Sequence, residues 1–206
     1  MKKKLLEAAQ SKEHEEADCL VVILMSHGNQ GAILGTDIKE VHLVRDVYTL
    51  FNNEECPALQ GKPKLFFIQA CRGEKSDNGT AAIAHDTTDA GKIGPELPQS
   101  SPSTKPERVV TRSDMCIVYA TIYGYEALKN SVIGSWFLSA VYEVFSEHAG
   151  TMHLEELMHH VQDKVMSRSS HDGGKQTCSV VLDGWRKHLY FNPGYAGDCR
   201  PDTKTV

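Results

Sequence analysis

Hydrophobic positions divide the chain into runs of two different periods. Leu20 to Met25 is a continuous aliphatic run that stops at Ser26-His27-Gly28, and Leu65 to Ile68 is another that stops at Gln69-Ala70-Cys71-Arg72-Gly73. Unbroken β-branched, aliphatic and aromatic runs of this length predict strands buried on both faces, as in a parallel sheet. Met115 to Ala120 predicts a further strand, Ala32 to Leu34 a short one between two glycines, and His188 to Phe191 a last one stopped by Pro193-Gly194. Elsewhere the period is helical. Leu43, Val47, Leu50 and Phe51 share one face, as do Phe137, Ala140, Val141, Val144 and Phe145, and again Leu154, Leu157, Met158, Val161 and Val165. Residues 3 to 16 predict an N-terminal helix with Leu5, Leu6 and Ala9 as its apolar stripe. Strands alternating with helices predict an α/β fold: a central, mostly parallel sheet with helices on both faces.

The pattern lapses over residues 74 to 112. That stretch holds four of the eight prolines (95, 98, 102 and 106) and few large apolar residues, which predicts a mobile linker. It separates an ordered region 1 to 73 from another at 113 to 194, with 195 to 206 as a tail. Composition narrows the function classes. At 40% hydrophobic and 24% charged residues over 206 positions, the chain is neither disordered nor fibrous. Its longest apolar run, Cys19 to Met25, is too short for a membrane span, and no signal-peptide core follows Lys2-Lys3-Lys4. A net charge of -5 speaks against binding nucleic acid through its phosphates. Six cysteines (19, 56, 71, 116, 178 and 199) show no zinc or disulfide spacing, which fits a reducing, cytoplasmic setting. Asn78-Gly79-Thr80 matches a glycosylation acceptor, but that chemistry needs a secreted chain.

Chemistry in open α/β sheets collects just past the carboxyl ends of strands. His27 follows one predicted strand and Cys71 another. If the strands are parallel neighbours, imidazole and thiol emerge at the same rim, the pairing that nucleophilic acyl transfer needs. Gly28 and Gly73 let backbone approach a substrate, and the Gly28 and Cys71 amides could face a developing oxyanion. The plainer reading is a cysteine that serves as a small buried hydrophobe. His153, His159 and His160 lie on one helix, but with no carboxylate or thiol placed to complete a site they read as a solvated face that holds no metal.

Gln69-Ala70-Cys71-Arg72-Gly73, with His27 in Ser26-His27-Gly28 upstream, resembles the caspase pattern. Further caspase-like segments are Gly61-Lys62-Pro63-Lys64-Leu65, Ser113-Asp114-Met115, Tyr119-Ala120-Thr121, Asn130-Ser131, Gly134-Ser135-Trp136-Phe137 and Leu189-Tyr190-Phe191. They occur in consistent order from about residue 5 to residue 194. The resemblance implies a cysteine endopeptidase that cuts proteins after aspartate in programmed cell death or related signalling, without metal or organic cofactor. Cys71 would be the nucleophile, His27 the acid/base, and Gly28 with Cys71 the oxyanion donors. Gln69, Lys129, Glu126, Leu128, Asn130 and Trp136 would line the substrate pockets. It also implies a zymogen with a large-subunit region at 1 to 73, a linker cut after Asp89 in Asp86-Thr87-Thr88-Asp89, and a small-subunit region at 113 to 194.

By the same resemblance, the 188 to 191 strand would join two copies, or this chain and another caspase. An upstream activating caspase and apoptosis inhibitors would be further partners. Three departures from the family pattern stand out. Lys129 occupies the place of a pocket arginine, and lysine keeps the charge without the bidentate fork. The other pocket arginine belongs to a segment ahead of residue 1, as do the family's first strands, so the chain reads as beginning part-way through the large subunit, with exposed sheet edges or faces as a consequence. Glu126 and Leu128 stand where the family has aromatics, and a glutamate there disfavours acidic substrate neighbours. The alternative function is a catalytically weak homologue that regulates a full-length caspase by dimerisation.

Overall fold

The computed structural model describes residues 1–80, 109–130, 132 and 134–194. Its centre is a four-stranded sheet in the order β1 (Leu20–Met25), β4 (Lys64–Gln69), β5 (Met115–Tyr119) and β8 (Ser179–Asp183). β1, β4 and β5 run parallel, while β8 closes the far side antiparallel to β5. Two small antiparallel ladders stand apart: β2 (Ala32–Leu34) with β3 (Glu40–His42), and β6 (Lys129–Asn130) with β7 (Gly134–Ser135).

Side chains alternate across a strand, so β4 feeds two cores. Phe66 and Ile68 join one face, where α1 (Lys2–Ala9), α2 (Leu43–Asp46) and a following 3₁₀ turn supply Leu5, Val47, Tyr48 and Phe51. Leu65 and Phe67 join the other, covered by α3 (Trp136–His148) and α4 (Leu154–Ser167) through Phe137, Ala140, Leu157 and Val161. Phe66 sits at the middle of the first core, its ring 5.0 Å from that of Tyr48 and 6.0 Å from that of Phe51. Lys64 starts β4 fully buried, its ammonium donating to the carbonyls of Leu59 and Lys62.

The mostly parallel α/β sheet with helices on both faces is as expected, but four elements differ from the sequence reading. β1 is buried on one face only: Val21, Ile23 and Met25 are exposed, because no residue of β1 enters the core beneath α3 and α4. The N-terminal helix ends at Ala9 and a separate 3₁₀ turn, Lys12–Glu15, buries His14, whose Nε2 lies 2.7 Å from the Ala8 carbonyl oxygen. The predicted helix through Leu43 and Phe51 breaks at Val47, so that Tyr48 turns inward as well. Residues 188–191 form no strand. Leu189 and Phe191 pack instead against the second core, and the Leu189 carbonyl accepts the Leu154 N–H at 2.9 Å. The last strand of the sheet is β8.

Replacing Phe66 with alanine empties space beside the Tyr48 and Phe51 rings and is expected to cost about 3–5 kcal/mol, whereas Ile23→Thr on the open face should stay within about 0.5 kcal/mol. Urea unfolding of the two variants measures this, and equal losses would contradict the packing described.

Candidate active site

Parallel pairing of β1 with β4 matches Leu20 to Lys64 and runs in step to Met25 opposite Gln69. Two residues further along each chain come His27 and Cys71. The pairing persists beyond the strands, since the Ser26 N–H donates to the Gln69 carbonyl at 3.1 Å. A Cβ on Gly28 would stand 2.9 Å from the Ala70 Cβ and 3.2 Å from the Cys71 carbonyl oxygen, so the His27-Gly28 backbone presses directly on the Cys71 loop. His27 is exposed and Cys71 half-buried. Two other thiols are deeply buried: burial pushes Cys116 up to about 12 and Cys178 up to about 11, which keeps both protonated and inert.

The Cys71 loop is bound to the 121–126 segment along its length. Arg72 N–H donates to the Tyr125 carbonyl, Gly124 N–H to the Arg72 carbonyl, and Glu126 N–H to the Lys75 carbonyl. Gly73 adopts φ +154, and a Cβ there would lie 2.2 Å from the Gly124 carbonyl oxygen, so only glycine fits. The Arg72 guanidinium stacks 3.9 Å from the Tyr119 ring centre. The Cys71 sulfur accepts the Ala127 N–H at 3.4 Å. Tyr123 reaches across to Gln30, its hydroxyl donating at 2.7 Å, over a cleft of about 820 Å³ flanked by Gly28, Gly73 and Lys75.

Glu126 accepts the Ser76 hydroxyl at 2.8 Å. Leu128 N–H donates to Gln176 Oε1 at 2.6 Å, and Gln176 is itself anchored on the Ala120 carbonyl. Lys129 and Asn130 form β6 and are exposed. Lys129 pairs in register with Ser135, whose hydroxyl donates to Gln69 Oε1. Ser135 also caps α3 by accepting the Leu138 N–H at 3.1 Å, so a single hydroxyl couples Gln69, β7 and the helix. Trp136 begins α3 buried, its N–H donating to the Leu128 carbonyl. Asp86 and Asp89 lie outside the described residues.

Sequence reasoning missed Ala127, Gln176 and Ser76, whose parts depend on distant partners. Ser135 had a local signal, a serine directly before an apolar helical run. It also missed a carboxylate beside the histidines of α4. His153 and Glu155 approach His188 of the closing segment, which corrects the solvated-face reading for His153 alone; His159 and His160 are exposed on the helix, as expected.

Comparisons with known proteins place the chain in a family. A family model described as "Caspase domain" matches residues 1–190. Caspase-2 of Gallus gallus is 35% identical over 198 residues, covering 89% of this chain and 44% of its own. Cell death protein 3 of Caenorhabditis remanei is 36% identical over 171 residues, covering 75% and 33%. The chain thus spans less than half the length of either relative. The crystal structure of caspase-1 from Spodoptera frugiperda superposes with a TM-score of 0.72 at 26% identity, over 88% of this chain and 67% of that one. With the fold, the rim that carries His27 and Cys71, and a match over nearly its whole described length, this chain belongs to the caspase family.

Proposed function

We propose that the chain provides the chemistry of a cysteine endopeptidase that cleaves proteins after aspartate. The observation that carries this reading is the continued β1/β4 register, which brings His27 and Cys71 to the same rim. His27 takes the thiol proton, and the Cys71 sulfur attacks the carbonyl carbon of the aspartate itself. The resulting oxyanion faces the Gly28 and Cys71 N–H groups. His27 then returns the proton to the amide nitrogen, the C–N bond breaks, and the amine leaves with a thioester on Cys71. Water, deprotonated by His27, attacks the thioester; the sulfur leaves, regains its proton, and the acid product departs.

Substrate backbone would lie along residues 125–128, in the manner of an added strand, where the Ala127 N–H now meets the Cys71 sulfur. Gln69 and Lys129, linked through Ser135, would receive the aspartate side chain. Lys129 offers a point charge rather than a fork, so the grip on a carboxylate is looser than an arginine would give. Glu126 adds a negative wall that disfavours acidic residues ahead of the aspartate. A role in programmed cell death is supported by the likeness to the nematode cell death protein 3. A cytoplasmic setting is supported by the free thiols of all five described cysteines. No helix among the described residues is long and apolar enough to cross a membrane.

A second reading, regulation of another caspase by pairing with it, rests on β8. This strand ends the sheet, and among the described residues its outer side pairs with nothing. Its Val181 and Leu182 side chains are exposed. An antiparallel copy of the same strand, from this chain or a related caspase, would satisfy that edge. The joining strand is thus assigned to Ser179–Asp183 rather than to 188 to 191.

Peptides differing only in Asp, Glu, Asn, Lys or Ala before the cut test the first reading. Cleavage after Asp is expected, falling at least ~10³-fold in Cys71→Ala and rising about tenfold in Lys129→Arg; no cleavage by folded dimer would leave the regulatory reading alone. Self-processing is expected after Asp89, so Asp89→Ala should abolish the cut seen by mass spectrometry of the products, and a cut retained there would exclude that bond. Val181→Arg is expected to convert a dimer to monomer in sedimentation velocity with the fold intact; an unchanged dimer would remove β8 from the interface.

A further inference from the structure

The first turn of α4 and the segment after β8 meet in a cluster of three ligating groups. His153 Nδ1 lies 3.0 Å from Glu155 Oε2, and His188 Nδ1 lies 3.2 Å from Glu155 Oε1. The two imidazoles stack with centres 4.2 Å apart. One ligand atom from each of the three residues falls within 4.8 Å of the others. A tetrahedral zinc ion with bonds of 2.0–2.1 Å separates its ligands by about 3.3 Å, so the spacing already approaches that of a bound site.

The surroundings match those of a metal site too. Trp185 Nε1–H donates to Glu155 Oε1 at 3.0 Å and fixes the carboxylate. The far nitrogen of His153, Nε2, lies 3.5 Å from Glu156 Oε2, a carboxylate placed to orient a ligating imidazole. His153 and Glu155 are mostly covered while His188 is open to solvent, which gives an ion a route in and leaves the fourth position to water.

We propose that His153, Glu155 and His188 form a binding site for a zinc-class divalent cation, apart from the Cys71 rim. Its effect is structural. The residues come from the start of α4 and from the stretch that follows the edge strand, and the ion staples the two together, adding to the Leu154–Leu189 backbone bond, the bonds of Trp185 and His188 to Glu155, and apolar packing. The chemistry selects a borderline metal, since two imidazole nitrogens and a single carboxylate suit zinc better than magnesium or calcium.

The test uses the full chain carrying Cys71→Ala, so that the rim thiol contributes nothing. After chelator treatment the protein is titrated with Co²⁺, followed by its visible absorption, and then with Zn²⁺ in competition. One ion per chain is expected, with Tm raised by about 5 °C at a hundredfold excess over Kd. His188→Ala, at an exposed position that leaves the fold intact by circular dichroism, should weaken Kd more than tenfold. Glu156→Gln should weaken it by about tenfold, and His159→Ala should leave it unchanged. No binding below about 1 mM, an affinity of ~4 kcal/mol, would overturn the proposal, and so would a Kd unaffected by both His188→Ala and Glu155→Gln.

Discussion

The in-register parallel pairing of β1 with β4 is the constraint on which the rest depends. A slip of one residue would turn every β4 side chain to the opposite face and pull His27 away from Cys71. The register is held from both sides of the sheet at once. Phe66 and Ile68 must reach the Tyr48–Phe51 core, while Leu65 and Phe67 must reach α3 and α4. Packing thus fixes the rim geometry from below, and the chemical groups sit on loops that contribute little to the core themselves.

Above the rim, backbone contacts take over. Gly28 against Ala70, and Gly73 against Gly124, are approaches that any side chain would block. They let three loops that are distant in sequence share one small volume. Hydrogen bonds between 72–75 and 124–126 tie the Cys71 loop to the region after β5, and Ser135 ties Gln69 to the start of α3. The proposed substrate pocket is therefore built from both halves of the chain, and neither half has it alone.

The sheet is less symmetrical in its coverage than in its strands. One face of β1 carries Val21, Ile23 and Met25 in the open, and β8 leaves its outer ladder unpaired among the described residues. Both are apolar or hydrogen-bonding surfaces of the kind that proteins cover with another element or another chain. The cation site proposed at His153, Glu155 and His188 lies where the chain turns away from β8, so it stiffens the ground behind that edge strand.

Much of this was legible in the residues themselves. The limits of β1 and of α4 nearly coincide with runs visible in the sequence, because continuous aliphatic stretches and a 3.6-residue period are local properties. The Cys71 pentapeptide and its upstream histidine were equally local. What failed to show was set by contacts between distant segments. The residues pointed to His188–Phe191 as the last strand, yet β5 pairs with Ser179–Asp183 and leaves Leu189 and Phe191 to pack in the core beneath α3 and α4. The open face of β1 was hidden too, since an apolar run looks the same whether one face or two are covered. His153 and His188 stand far apart in sequence. Only the fold, by returning the closing segment over the first turn of α4, made Glu155 their common partner.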